Sequence, residues 1–284
     1  MIAPVYGLVL LLVGIVAGAV GALSGLGGGV VIVPVLTLIF GVPIEYAAGT
    51  SLLATIATSS GAGSAYIRDK LTNIKIGMSL EIATTLGAII GALLAAIVYA
   101  SNFPELIFIL FGIVLLFSAI PSAKSLFRKG FRSSKPDFTT GLFQLHGSYY
   151  DKAARARITY NGVRWWLGEM VMLFAGIVSG LLGIGSGALK VIGMDWGMRL
   201  PIKVSTATSD FMIGVTAAAG SAVYLALGYV QIVSASPVII GVLGGAFLGA
   251  IIMNRMRGNR IRLFFIMVIG LLALEMIFRG FGVL

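Results

Sequence analysis

Two glycine-dense runs interrupt an otherwise apolar chain: Ser24-Gly25-Leu26-Gly27-Gly28-Gly29 and Leu182-Gly183-Ile184-Gly185-Ser186-Gly187. Glycine at this density breaks a helix. A helix restarting at Val30 or Ala188 would aim unpaired N–H groups at the break, which suits an anion. Gly27, Gly28, Gly29, Gly185, Ser186 and Gly187 are therefore candidate binding positions. Thr50-Ser51 and Thr208-Ser209 supply hydroxyl donors at membrane depth, unless each bonds back to its own helix. Lys190 and Asp210 carry charges in apolar surroundings, where an ionisable group is a functional candidate by default. Lys190 could neutralise an anion, pair with Asp210 as a proton-sensitive lock, or snorkel to the interface.

These residues must be positioned inside a membrane. The 284 residues are 58% hydrophobic and 11% charged, against about 25% charged in soluble domains. No charge occurs before Glu45, and the apolar stretches reach the roughly 20 residues that a spanning helix needs. Barrel alternation is missing, so the spans are helices and the fold class is all-α, polytopic. With no cysteine and only His146, thiolate metal sites, cysteine nucleophiles and His-rich metal sets are excluded. No cofactor is expected. Ser-His pairing, HExxH spacing and a GxGD aspartate are missing, which argues against an intramembrane enzyme. The glycine runs lack the GK[ST] ending of a nucleotide loop. Nucleic acid is a poor partner despite the pI near 10.0, because the basic residues lie in short segments between spans.

Charges and breakers delimit eight apolar units at 5–40, 44–67, 76–100, 104–121, 163–198, 202–227, 236–254 and 261–281. The basic segment 122–162 contains Lys124, Arg128, Lys129, Arg132, Lys135, Lys152, Arg155 and Arg157 and separates a first transmembrane repeat (1–121) from a second (163–284). Residues 17–117 match 175–275 at a constant offset of 158 with about 22 identities, so one unit was duplicated. If the long units 5–40 and 163–198 each bend at their glycines and return, 18 basic residues collect on one face, with Arg279 alone opposite and Lys190 within the membrane. That face is cytoplasmic by the positive-inside rule. The two repeats are then inverted, with both termini and Glu105 outside. No basic n-region precedes the first apolar unit, as a removable signal peptide requires.

Gly87, Gly91, Gly245 and Gly249 have the four-residue spacing of close helix packing. Tyr66 and Tyr224 are expected as interfacial anchors. Glu81, Glu169 and Glu275 read as structural, Lys203 as part of a wetted turn, and His146 as solvated or capping.

The run Gly21–Gly29, Val33-Pro34, the Gly41-Val42-Pro43 turn and the Thr-Ser pair, all repeated in outline, resemble the signature of the TauE/SafE membrane permeases. The likeness covers both halves outside 122–162. In the second copy Ser186 replaces a glycine and Ile192 stands at the Pro34 position. The resemblance implies transport of small sulfur-containing or organic anions such as sulfite, sulfonates or sulfoacetate, coupled to an ion, a proton or sodium. The expected partners are that anion, the lipid bilayer and further copies of the chain. The residues suit a secondary transporter working by alternating access between the repeats; a channel is the alternative.

Overall fold

The computed structural model describes residues 2–100, 105–126, 131 and 133–280. Arg128, Lys129 and Arg132 lie outside the described residues, as do the side chains of Glu105 and Lys124. Helix α1 (Ile2–Ser24) is followed across the first glycine run by the short α2 (Gly29–Leu38), then by α3 (Ile44–Arg68), α4 (Ile74–Tyr99) and α5 (Glu105–Leu126). After the basic segment the order recurs as α7 (Trp165–Leu182), α8 (Gly187–Ile192) with a π-helical turn (Gly193–Gly197), α9 (Ile202–Ala226), α10 (Ile232–Arg255) and α11 (Gly258–Gly280). Six of these helices are long and apolar enough to cross a bilayer by length and composition.

Helix α4 displays why lipid must surround the protein. Met78, Ile82, Leu86, Ile90, Leu93 and Ile97 form one face, each between 46% and 70% exposed. Water would not tolerate such a stripe on every outer helix. By contrast α3, which is less apolar, buries a face of Gly, Ala, Ser and Thr. Small residues there let helices approach closely where no hydrophobic force drives them together.

The halves exchange their first helices. Gly14 and Gly18 of α1 press on Val238–Ala246 of α10, while Gly241 and Gly245 press back on Leu11 and Ile15. The equivalent contact joins α7 to α4: Gly87 and Gly91 meet Leu173–Leu181, and Gly176 and Gly180 meet Thr84–Ala92. A Cβ on most of these glycines would collide with backbone, so the four-residue spacing serves packing. Both pairs run parallel. The equivalent helices α3 and α9 meet head to tail, Ser59 lying beside Phe211 and Gly214 and Leu52 beside Gly220. Helices α5 and α11 do likewise, with Gly112 against Ala273 and Ile277 and Gly280 against Ile109.

Both long units return to the side they entered from. Helix α3 runs parallel to α10, from Gly49 beside Tyr229 to Gly61 beside Leu243, and therefore parallel to α1. The chain thus crosses in α1 and comes back through the break and α2 before α3 begins. The second repeat does the same through α7 and α8.

Segment 122–162 holds structure that its composition does not announce. A short helix α6 (Phe138–Leu142) is started by a capping box in which Asp137 accepts from the Thr140 N–H. It precedes an antiparallel hairpin of β1 (His146–Asp151) and β2 (Ala156–Asn161). Lys203 at the start of α9 donates to Asp151 at 2.9 Å and to the Asn254 carbonyl at 3.2 Å. Lys152 pairs with Asp69 at 3.3 Å, and Asn254 donates to the same carboxylate. The hairpin therefore ties together the basic ends of α3, α9 and α10. Lys203, expected in a wetted turn, is 1% exposed. Its charge is carried by Asp151, a partner that distance in sequence concealed.

Candidate functional site: two glycine breaks in contact

The backbone conformation of the breaks repeats. Gly25 and Gly183 have φ of 74° and 72°, and Gly27 and Gly185 have 79° and 76°. Glycine adopts this left-handed region without the strain of a side chain, and these paired turns reverse the chain between the two arms of each hairpin. The copies then diverge, since Gly28 has φ −59° and Ser186 55°.

The turns lie against each other at the centre of the protein. The Ser209 hydroxyl donates to the Gly25 carbonyl of the other repeat at 2.9 Å and lies 3.4 Å from the Gly187 carbonyl. A Cβ on Gly187 would strike the Gly25 carbonyl and Leu26 backbone, and one on Gly29 would strike the hydroxyls of Ser51 and Thr55. Thr55 also borders Gly27 and Gly185. The Gly28 N–H donates to Thr58 at 3.0 Å. The buried hydroxyls of Ser51 and Ser186, and of Ser205 and Thr206 on α9, have no hydrogen-bond partner, nor does either oxygen of the fully buried Asp210 carboxylate. Unmet polar groups at such depth are costly and call for a ligand, water or proton.

The structure thus brings Gly27, Gly29, Ser51, Gly185, Gly187 and Ser209 to one place, with Gly28 and Ser186 in the same turns. Thr50 is buried in the turn of α3 that carries Ser51. Thr208 points elsewhere, accepting the Asn73 N–H before α4 at 3.1 Å. Tyr66 and Tyr224 are not interfacial anchors. Both are fully buried, donating to the carbonyls of Ala22 at 2.7 Å and Gly180 at 3.0 Å. They satisfy equivalent last-turn carbonyls of α1 and α7, which have no intrahelical partner.

Lys190 does not pair with Asp210. Its ammonium, 0% exposed, lies 3.6 Å from Glu81 on α4 and donates to Thr216 on α9. Thr216 in turn donates to Glu81 at 2.6 Å, and Thr85 does so at 3.2 Å. Glu81 was the residue the sequence concealed. The signal was present in the repeat, where the positions equivalent to Lys190 and Glu81 are Ile32 and Ile239. Two charges replacing two isoleucines point to a pair.

These features define a multi-pass helical membrane protein built around two broken hairpins that meet at its centre. The chain belongs to the sulfite exporter TauE/SafE family, whose model matches residues 10–276. It is 31% identical to the probable membrane transporter protein YunE of Bacillus subtilis over 96% of this chain and 97% of that one. It is 30% identical to the probable membrane transporter protein YdhB of the same organism, over 88% and 89%. The probable membrane transporter protein MJ0441 of Methanocaldococcus jannaschii is 28% identical over 94% of each chain. No solved structure matches. The protein is a membrane transporter of this family, acting on a small molecule.

Proposed function

We propose that the protein is a secondary permease for small anions, with sulfite and short sulfonates as the leading substrates, working by alternating access around the paired glycine breaks. The observation that carries this reading is the contact between the two turns. Backbone freed from helical bonding at membrane depth borders buried, unpartnered hydroxyls of Ser51 and Ser186, and hydroxyl and backbone donors without acceptors suit anionic oxygens. A sulfite or sulfonate presents three such oxygens on a compact group.

The inverted arrangement of repeats 1–121 and 163–284 is part of the proposal. It is supported by the head-to-tail contacts of α3 with α9 and α5 with α11, and such repeats with broken helices suit rocking around a fixed site. The basic end, which carries the hairpin, is assigned to the cytoplasm and both chain ends to the other side. Asp210, buried and unpartnered, is a candidate to carry the coupling proton or sodium ion.

Labelled sulfite and short sulfonates, supplied to proteoliposomes with and without a pH gradient, test the reading. Saturable uptake, competed by unlabelled anion and driven by the gradient, is expected. An unsaturable current would make the protein a channel instead.

A further inference from the structure

The second hairpin is fastened by charge where the first is fastened by hydrocarbon. At the second hairpin Lys190 of α8 meets Glu81, on α4 of the other repeat, and Thr216 of α9. The equivalent positions around the first hairpin are Ile32 of α2, Ile239 of α10 and Thr58 of α3. Ile32 is fully buried in an apolar cluster with Ile239 packed against it, and Thr58 takes the Gly28 N–H. An apolar contact has no chemical switch. A buried ion pair has one, because removing either charge leaves the other uncompensated.

We propose that Lys190–Glu81 is the releasable clamp of the second hairpin, opened when Glu81 takes a proton, while the first hairpin is a fixed buttress. The Glu81 side chain is 12% exposed and Lys190 0%, so the proton arrives at the carboxylate. The carboxylate becomes the neutral acid, and Lys190 keeps its charge but loses its counter-ion. The α7–α8 hairpin then moves until water or the transported anion reaches the ammonium. With one proton on Glu81 and one monoanion on Lys190, the net charge is zero, as it is in the closed pair. The clamp therefore ties one proton to one monoanion.

Other titratable groups on the elements packed around the pair are Asp195 on the π-helical turn, Glu169 on α7, Lys203, Asp210 and Tyr224 on α9, and Lys75 and Tyr99 on α4. Among the described residues only Glu81 places a carboxylate within 4.0 Å of Lys190. Helix α5, which also touches α8, presents no charge among its described side chains.

The one-proton, one-anion balance rests on the anion-permease reading, but the test of the clamp uses no anion, so the two can fail separately. The chain has no cysteine, so Ser186→Cys in proteoliposomes provides a single target for an impermeant maleimide. Its labelling rate is divided by that of Asn259→Cys to cancel thiolate chemistry. Between about pH 7 and about pH 4, the range that reaches the ordinary glutamate carboxyl, the ratio should rise about tenfold as the clamp opens. With Glu81→Gln it should be high at both pH values. Glu81→Ile combined with Lys190→Ile, which copies the Ile32–Ile239 surroundings of the first hairpin and leaves no charge unpaired, should fold and keep the ratio low throughout. A ratio indifferent to pH in the Ser186→Cys protein, or a double isoleucine variant that labels like it, would overturn the clamp.

Discussion

The hydroxyl of Ser209, on α9, donates to the carbonyl of Gly25 at 2.9 Å and lies 3.4 Å from the carbonyl of Gly187, so it stands between two glycine turns that belong to different repeats. Removing it with Ser209→Ala leaves a buried carbonyl unmet, which costs about 1–3 kcal/mol. We expect a lower melting temperature in detergent and weaker half-saturation by sulfite. An unchanged value for both would mean that the contact contributes to neither stability nor binding.

Added side chains distinguish the two turns. Gly187→Leu must push the turns apart, because its Cβ meets backbone of the first repeat, whereas Gly28→Leu meets the Thr58 hydroxyl at 2.9 Å. Both variants should insert in the membrane and lose sulfite flux, with the larger loss of thermal stability at Gly187. Full flux at normal affinity in either would move the site elsewhere.

Orientation is read most simply from one introduced thiol. Asn259→Cys, at the basic end, should react with impermeant reagent only when that reagent is on the cytoplasmic side. Reaction from the opposite side alone would invert the assignment.

The lysines of the hairpin face are not equivalent. Lys203→Met abandons Asp151 in a buried pair and should destabilise the protein by roughly 3–5 kcal/mol. Lys152→Met, at a pair whose lysine side chain is 52% exposed, should change stability by less than about 1 kcal/mol. Chemical unfolding of both variants checks the contrast.

Acid should loosen the same region. Burial works against ionisation of Asp137, but the Arg164 N–H and the Thr139 and Thr140 donors outweigh it and hold the carboxyl at about 2. A depressed carboxyl contributes stability above its unfolded value near 3.9, and that contribution fades as pH falls through about 2. Asp151 shifts in the same direction: burial opposes ionisation, and the Lys203 hydrogen bond prevails. Hydrogen exchange of the amides in 137–161 should therefore accelerate in acid beyond its intrinsic trend. Asp137→Asn should show this looseness already at neutral pH.

Much of the architecture was legible because membrane helices announce themselves by length, and because the repeat fixes which glycines correspond. The breaks at Gly25 and Gly183 follow from glycine density alone. What stayed hidden depends on pairing across distance. Glu81 looks like a span-end carboxylate until Lys190 is seen beside it, and Lys203 looks wetted until Asp151 arrives from a strand more than fifty residues earlier. The hairpin itself was masked by the basic composition of its segment, since strand pairing there follows from local register and not from a long apolar pattern. Tyr66 and Tyr224 misled because an aromatic near a span end resembles an anchor, whether or not a helix carbonyl waits for its hydroxyl.

The exchange of first helices between the halves also sets the order of biogenesis. Helix α1 leaves the ribosome well before α10, yet Gly14 and Gly18 find their partners only in α10, which begins at Ile232. Until then its small-residue face meets lipid or the insertion machinery, and α4 likewise waits for α7. Neither half can finish its own packing during synthesis. Maturation is therefore a late, concerted closure of two nascent bundles, and a chain stalled before α10 should be recognised by quality-control proteases as unassembled.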